Sequence, residues 1–190
     1  MAKLYYEKSG DNYQIKDPFK IIALKSAKKT AKNLERFSKL GLNVLEIIQS
    51  RGESAYRINI RSSKSTDYQI AHVEEGIGTK NIAADELEKI YGESFYQAVA
   101  LDNAASIFND LATTGAAALS FMLHVAAYPT EWFTDQRRIK TLIEGTVQAC
   151  NLAGASWGGG ESPTMRDIIK PGKALLSGSA TGLIIPANKA

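Results

Sequence analysis

Three short segments of the chain place a carboxylate beside glycines or a lysine, which suits a site for phosphates and a metal ion. The first reads Glu75-Gly76-Ile77-Gly78-Thr79-Lys80, the second runs from Asp102 to Ala116, and the third reads Gly158-Gly159-Gly160-Glu161-Ser162. Glycines let the backbone approach a phosphate closely, and a lysine supplies positive charge. Carboxylate oxygens are ligands that Mg²⁺ prefers. Together the segments indicate a magnesium–nucleotide site.

Each segment taken alone also has an ordinary structural interpretation. The first lacks the spacing of a Walker A loop, so it can equally be a turn that follows a strand. On helical spacing, a set of polar residues in the second segment falls near one edge: Asp102, Ser106, Asn109 and Asp110. A solvent-facing rim of an amphipathic helix gives the same pattern. Spacing alone therefore leaves both interpretations open.

The order of the three segments resembles the N-terminal domain of the AIR synthetase superfamily, where AIR is aminoimidazole ribonucleotide. In that family a strand runs into Asp-Gly-Val-Gly-Thr-Lys, and a helix then carries Asp…Asn-Asp-x4-Gly-Ala-x-Pro. A later short strand ends in Gly-Gly-Glu-Thr. The chain is similar to this pattern from about residue 5 to about residue 185, with the poorest fit between about 35 and 66.

The resemblance implies a role for each matching residue. Catalytic roles would fall to Lys80 and Asp110. ATP would be bound by Gly76, Gly78, Thr79, Lys80, Asn109, Gly115, Gly159 and Gly160. Mg²⁺ would be bound by Glu75, Asp102, Asp110 and Glu161. The implied reaction is an ATP-dependent phosphoryl transfer of the ligase or cyclo-ligase type, as in purine biosynthesis, on a small phosphorylated or amide substrate.

Four departures from the family pattern affect the substrate side more than the nucleotide side. Glu75 stands in place of Asp, Ala118 in place of Pro, and Leu123-His124 in place of Asp-Tyr. A Gly-Gly-Phe-Gly segment of the family is missing, and Leu40 to Ile48 stands there instead. Three functions stay open: a cyclo-ligase-type enzyme, a kinase acting on another small acceptor, and a non-catalytic dimerisation or nucleotide-binding module.

The chain's 190 residues suit one domain, and the resemblance implies an α/β (α+β) fold with a mixed sheet and helices on one face. Residues 1–17 are expected to form an N-terminal arm. Residues 18–190 would form the nucleotide-binding domain, without the C-terminal domain of the family. The resemblance implies strands near 56–60, 68–73, 119–127, 155–158 and 174–185, and the periodicities of the sequence agree with them. Helices are predicted to begin at Asp17-Pro18 and to cover 37–48, 81–91, 95–114 and 134–153.

A homodimer is also expected, since paired sheets are a property of the family. Strand 119–127 is apolar on both faces, which is typical of a strand that is covered on both sides. His124 lies in this strand, and we interpret it and His72 as core or interface histidines rather than catalytic bases. Cys150, the only cysteine, is expected to be a packing residue.

Composition favours a cytoplasmic protein without a membrane partner. No apolar run is long enough to cross a bilayer, no secretory signal is visible, and a single cysteine excludes an intramolecular disulfide. Residues 1–40 carry ten lysines and arginines against four acidic residues. Such a segment can bind nucleic acid or a phosphorylated small molecule, but a solvated helix face is the favoured interpretation. Because no nucleic-acid-binding signature accompanies it, no nucleic acid partner is expected.

Overall fold

The protein is described by a computed structural model that covers most of the chain from residue 41 onward. The described residues are 21, 22, 26, 31, 32, 34, 35, 38, 39, 41–50, 53, 55–62 and 67–185. The predicted arm over residues 1–17 and the predicted helix start at Asp17-Pro18 lie outside the described residues, whereas Ile21, Ile22 and Ser26, which belong to that predicted helix, are helical. No helix in the described part is long and apolar enough to cross a membrane.

Six strands form one mixed sheet, as the resemblance implies. The strands are β1 (Leu42–Glu46), β2 (Tyr56–Ser62), β3 (Tyr68–Gly76), β4 (Ala117–Tyr128), β5 (Ser156–Glu161) and β6 (Lys173–Ile184). Their order across the sheet is β1-β2-β3-β6-β4-β5, so the last strand in sequence lies in the middle. Every neighbouring pair is antiparallel except β4 and β5, which are parallel.

Three helices lie on one face of this sheet, which confirms the expected fold class. They are α1 (Lys80–Tyr91), α2 (Tyr96–Ala112) and α3 (Gln136–Ala153). Helix α2 lies over β3, β6 and β4, and α3 packs against α2. The core between helices and sheet contains large, fully buried side chains, among them Val73, Tyr96, Ile107, Leu111, Phe121 and Leu176.

Glycines of β6 allow α2 to lie close to the sheet. A Cβ at Gly182 would be 2.9 Å from Cδ2 of Leu111, and one at Gly178 would be 3.1 Å from Cδ1 of Ile107. Both glycines face the helices, as do the buried Ala174, Leu176, Ala180 and Ile184 between and around them. Close packing of α2 therefore requires glycine at these two positions of β6, because any side chain there would push α2 away from the sheet.

The opposite side of the sheet, which we call the open face, carries mainly polar side chains on its three central strands. Strand register places these side chains on that face: His72, Glu74, Ser120, Met122, His124, Leu175, Ser177, Ser179 and Thr181. Two cross-strand pairs lie there, His72 Nδ1 with Thr181 Oγ1 at 3.2 Å and His124 Nδ1 with Ser177 Oγ at 3.0 Å. Both histidines of the chain are therefore on the open face, outside the core.

Two details of the predicted elements are wrong. The helix predicted over 37–48 is replaced at its centre by β1, an edge strand that pairs with β2. Strand β4 does not keep a single alternation either. A register shift between Ala118 and Ser120 leaves Leu119 outside the regular pairing, with 48% of its surface exposed. The helix-facing apolar side of β4 therefore begins at Phe121, and Leu119 does not belong to it.

Candidate functional site

The loop after β3 contains the first predicted segment and leads directly into α1. Strand β3 ends at Gly76, and the backbone N–H of Ile77 donates to the Leu176 carbonyl at 3.1 Å, which ties the loop to β6. Gly78 has a φ of +69°, a left-handed conformation that favours glycine. Thr79 is the N-cap residue of α1 and Lys80 is its first residue. Gly76, Gly78, Thr79 and Lys80 thus form one short turn at the end of the sheet.

Lys80 and Asp102 contact each other directly, although they are far apart in sequence. Lys80 Nζ lies 2.9 Å from Asp102 Oδ2, and the two side chains are 56% and 49% exposed. An ion pair this exposed contributes little to stability. Its lysine is available to an incoming phosphate, because the carboxylate can return to solvent at small cost. Two residues predicted for the site are thereby placed together.

Glu75 lies at the same end of the sheet. It pairs in register with Gly178, which faces the helices, whereas Glu74 pairs with Ser179 on the open face. Beneath this end, the fully buried Asn103 of α2 donates from Nδ2 to the Ser177 carbonyl at 3.3 Å. Since Asn103 follows Asp102, this bond fixes the part of α2 that presents Asp102 to Lys80.

The residues in the second half of the helix signature, Asn109, Asp110 and Gly115, lie farther along α2 and in the turn after it. Asp110 is eight residues after Asp102 in α2, about 12 Å farther along the helix axis. Asn109 lines a groove between α2 and α3 with a volume of about 260 Å³, and Asp102 lines the same groove, together with Phe108 and Leu152. Gly115 is in the turn after α2, with a φ of +74°. The structure therefore keeps Asn109 on the same groove as Asp102, the partner of Lys80, whereas Asp110 and Gly115 lie toward the far end of α2 and away from the Lys80 loop.

The third segment lies on the far side of β6 from the Lys80 loop and lines a cavity on the open face. This cavity has a volume of about 510 Å³ and is lined by Glu74, Met122, Leu123, His124, Gly158, Gly160, Glu161, Ser177, Gly178 and Ser179. Gly160 has to be a glycine, because a Cβ there would overlap the Leu123 carbonyl. Gly159 has a φ of +126°. Glu161 and Gly160 are thus grouped with residues to which the resemblance assigns no role, such as Glu74, His124 and Ser177.

His124, Ser177 and Glu74 are the residues of this cavity that sequence reasoning did not propose. His124 was expected to be a core or interface histidine, and it is half-buried against Ser177. The sequence contains one signal for His124, because Leu123-His124 stands where the family has Asp-Tyr. It could not identify Ser177, which is 53 residues away in sequence and reaches His124 only through the register of β4 and β6.

The carboxylates predicted to bind Mg²⁺ do not converge in this chain. Within the described residues, no group of three or more His, Cys, Asp and Glu side chains is arranged to hold a metal ion. Glu75 and Asp102 are near the Lys80 loop, Glu161 is on the open face, and Asp110 is near the other end of α2. The side chains of one copy, without a nucleotide, therefore do not form a site that fits the ion.

A buried polar network holds α1, and with it Lys80, against the sheet. The Asp85 carboxylate accepts from Tyr96 Oη and from Lys173 Nζ, both at 2.8 Å. Burial, followed by the bond to Asp85, raises the pKa of Tyr96. Asn81 is also buried and donates from Nδ2 to the Ala174 carbonyl at 2.7 Å. These bonds join α1 to α2 and to the start of β6.

Comparison with known proteins identifies the family of this chain. Residues 54–184 match the family model described as AIR synthase related protein, N-terminal domain. The phosphoribosylformylglycinamidine cyclo-ligase of Caldicellulosiruptor saccharolyticus is 30% identical over 142 residues, which are 75% of this chain and 38% of that protein. The trifunctional purine biosynthetic protein adenosine-3 of Bos taurus is 29% identical over 131 residues, which are 69% of this chain and 12% of that protein.

One solved structure supports the fold. The crystal structure of tt0281 from Thermus thermophilus matches with a TM-score of 0.51 at 17% identity, covering 70% of this chain and 36% of that one. The chain spans well under half the length of these relatives. Because the family model covers more than half of the chain, membership is shown: this chain belongs to the family of AIR synthase related proteins and corresponds to their N-terminal domain.

Proposed function

We propose that this chain is the nucleotide-binding part of an ATP-dependent phosphoryl-transfer enzyme related to AIR synthetase. The observation that carries the proposal is the contact of Lys80 with Asp102 beside the glycine turn, at 2.9 Å. An exposed lysine next to a turn with left-handed Gly78 suits the binding of phosphates, since the backbone can approach and the ammonium group offsets their charge. Catalysis of phosphoryl transfer consists mainly of such positioning and charge neutralisation.

In this proposal Lys80 contacts the ATP phosphates, while Gly76, Gly78 and Thr79 shape the turn around them. Asp102 holds the Lys80 ammonium in place until the nucleotide arrives. The other assigned roles stay predictions. Asp110 would be a second catalytic residue, and the nucleotide would also contact Asn109, Gly115, Gly159 and Gly160. Mg²⁺ would be bound by Glu75, Asp102, Asp110 and Glu161. Because these carboxylates lie apart, phosphate oxygens of the nucleotide would have to supply some of the ligands of the ion.

The acceptor is proposed to be a small phosphorylated or amide compound. The likeness to phosphoribosylformylglycinamidine cyclo-ligase favours the cyclo-ligase type of reaction in purine biosynthesis. The chain spans 38% of that relative, and we expect it to bind nucleotide at the Lys80 turn. A kinase acting on another small acceptor and a non-catalytic nucleotide-binding module are the alternatives.

The nucleotide site is tested by replacing Lys80. We expect Lys80→Met to weaken ATP binding by about 1–3 kcal/mol, the scale of one lost charge-assisted contact. The matched control is Lys89→Met in the same helix, where the lysine pairs with Glu86 and is 66% exposed. Isothermal titration of ATP, with and without magnesium, measures both variants. Equal affinities for the two would remove Lys80 from the site, and no binding to the unchanged protein would favour the non-catalytic module.

We also propose a homodimer in which a second copy covers the middle of the open face. Exposed apolar side chains there include Met122 and Leu175, 41% and 46% exposed, beside the polar ladder of β6. We expect Leu175→Glu to convert a dimer to a monomer, because a charge would be buried at the contact. The control is Leu152→Glu on α3, 78% exposed on the helical side. Light scattering at a protein concentration of tens of micromolar measures the oligomeric state. If the unchanged protein were a monomer, that result would contradict the proposal.

A further inference from the structure

A groove on the helical side of the sheet lies beside the Lys80 turn, and the proposed phosphate contacts leave it unused. It runs between α2 and α3 and has a volume of about 260 Å³. Asp102 lines it, and the Oδ2 atom of Asp102 is 2.9 Å from Lys80 Nζ. A ligand whose phosphates contact Lys80 can therefore extend into this groove. The second copy of the proposed dimer covers the opposite face of the sheet and leaves the groove accessible.

Most of the groove surface is apolar, and its composition suits a planar ring. Leu101, Ala105 and Leu152 line it, and 78% of the Leu152 surface is exposed. Phe108 lines it as well, and its ring packs on Phe121 with the centroids 5.5 Å apart, which holds the ring in place. Among the described residues that line the groove, none is a lysine or an arginine. The groove therefore suits an aromatic base, which stacks on apolar and aromatic side chains, and not a phosphate.

We propose that this groove binds the adenine base of the nucleotide and that Asn109 makes it selective for adenine. The assignment depends on the proposed function, since the base belongs to the nucleotide whose phosphates Lys80 contacts. Asn109 is seven residues after Asp102 in α2, about 10 Å along the helix axis. The base therefore lies beyond the phosphates, as in an extended nucleotide. The groove volume of about 260 Å³ is below the roughly 300–1,000 Å³ of sites that enclose a whole drug-sized ligand, so it fits one part of the nucleotide.

The Asn109 side chain has the hydrogen-bonding groups that adenine requires. It is exposed on α2 and lines the groove, so its amide can reach a ligand there. The amide oxygen accepts from the exocyclic amine of adenine, and the amide N–H donates to the adjacent ring nitrogen. Guanine presents two acceptors at the same edge, so the amide oxygen of Asn109 would have no donor. For this reason we expect ATP to bind about tenfold more tightly than GTP.

The first experiment compares ATP with tripolyphosphate, which has the phosphates but no base. Ala105 is exposed on the wall of the groove, so Ala105→Leu fills the groove without entering the core. In isothermal titration with magnesium present, we expect this variant to bind ATP about tenfold more weakly and tripolyphosphate as the unchanged chain does. The control is Ala112→Leu, at an exposed position of the same helix outside the groove, and it should bind both ligands as the unchanged chain does.

The outcomes separate the base groove from the phosphate site. If Ala105→Leu binds ATP as the unchanged chain does, or loses ATP and tripolyphosphate equally, the base does not lie in the groove and the inference is overturned. A loss of both ligands in Lys80→Met would still support the phosphate site in that case. If Lys80→Met binds both ligands normally, the phosphate site is wrong, and a loss of ATP alone in Ala105→Leu still assigns the base to the groove. If the unchanged chain binds neither ligand, both are overturned.

Asn109→Ala tests the selectivity for adenine. We expect this variant to bind ATP and GTP with equal affinity, because the amide that distinguishes the two bases is gone. Asn151→Ala, at an exposed asparagine of α3 outside the groove, should keep the tenfold preference for ATP. Both variants should bind tripolyphosphate as the unchanged chain does, which shows that they are folded. A preference for ATP that survives in Asn109→Ala would show that Asn109 does not select the base.

A measurement on the unchanged chain covers the case in which Ala105→Leu or Asn109→Ala alters folding. A derivative of ATP with an azide on the adenine ring, activated by light, attaches to residues next to the base. We expect peptide mass spectrometry to find the label within residues 101–109 of α2 or 149–153 of α3, and excess ATP to prevent the labelling. Label confined to other peptides, such as those of β5 and β6 around the open-face cavity, overturns the inference.

Discussion

Replacing Asp85 by alanine is expected to lower the free energy of unfolding by about 3 kcal/mol, the lower end of the range for breaking a buried ion pair, because Lys173 keeps some contact with water. Asp85 is 7% exposed, and its carboxylate accepts from both Tyr96 and Lys173. Without it, the Tyr96 hydroxyl and the Lys173 ammonium, 29% exposed, lose their acceptor together. Urea unfolding followed by circular dichroism measures the loss.

Glu86→Ala is the matched control for Asp85→Ala. Glu86 is the next residue, is 54% exposed, and pairs with Lys89 and more distantly with Lys173. We expect this control to leave the urea midpoint of unfolding within experimental error of the unchanged protein, because an exposed ion pair contributes little to stability. Equal losses in the two variants would mean that the network around Asp85 does not anchor α1. Because α1 begins at Lys80, Asp85→Ala should also weaken ATP binding under conditions where the protein is still folded.

Replacing Gly178 by valine is expected to cost about 3 kcal/mol or to prevent folding, the upper range for overpacking a core. A Cβ at Gly178 would be 2.6 Å from the Met122 carbonyl oxygen, 3.0 Å from Phe121 Cζ and 3.1 Å from Ile107 Cδ1. The carbonyl belongs to the β4–β6 ladder, so it cannot move aside as a flexible side chain would. The thermal unfolding midpoint and the yield of folded protein are the measurements.

The adjacent residue supplies the comparison for Gly178→Val. Ser179 has the same strand environment but faces the open side, so Ser179→Val adds the same β-branched group without meeting the helices. We expect this variant to unfold within a few degrees of the unchanged protein. If both variants were equally stable, α2 would not be packed as closely on β6 as the structure indicates.

Much of the fold was predictable because its signals are local. Helix α3 begins after Asp135, whose side chain accepts from the Arg138 N–H, and it ends at Gly154 in a left-handed conformation. Such caps can be read from sequence. The strand β1 could not be identified in this way. No residue within β1 marks it locally as a strand. Its five residues are extended because they pair with β2.

The site was predictable only in part, and for a similar reason. Segment order and the family resemblance placed Lys80 and Asp102 in one site, and the structure brings them together. Neither spacing nor resemblance could show that Glu161 lies on the open face with His124, because that depends on the parallel register of β4 and β5. The separation of Asp110 from Lys80 is likewise set by how α2 crosses the sheet, which no local pattern encodes.

The central position of β6 has a consequence for synthesis on the ribosome. Strands β1–β3 and strands β4–β5 emerge first, yet only β6 pairs with both β3 and β4. Until residues 173–184 have left the exit tunnel, the nascent chain holds two separate groups of strands whose edges are unpaired. Such edges favour aggregation and slow, non-local folding. We therefore expect the nascent chain to aggregate less when a chaperone binds it before β6 emerges, and to need this more than a protein whose strands pair in the order of their synthesis.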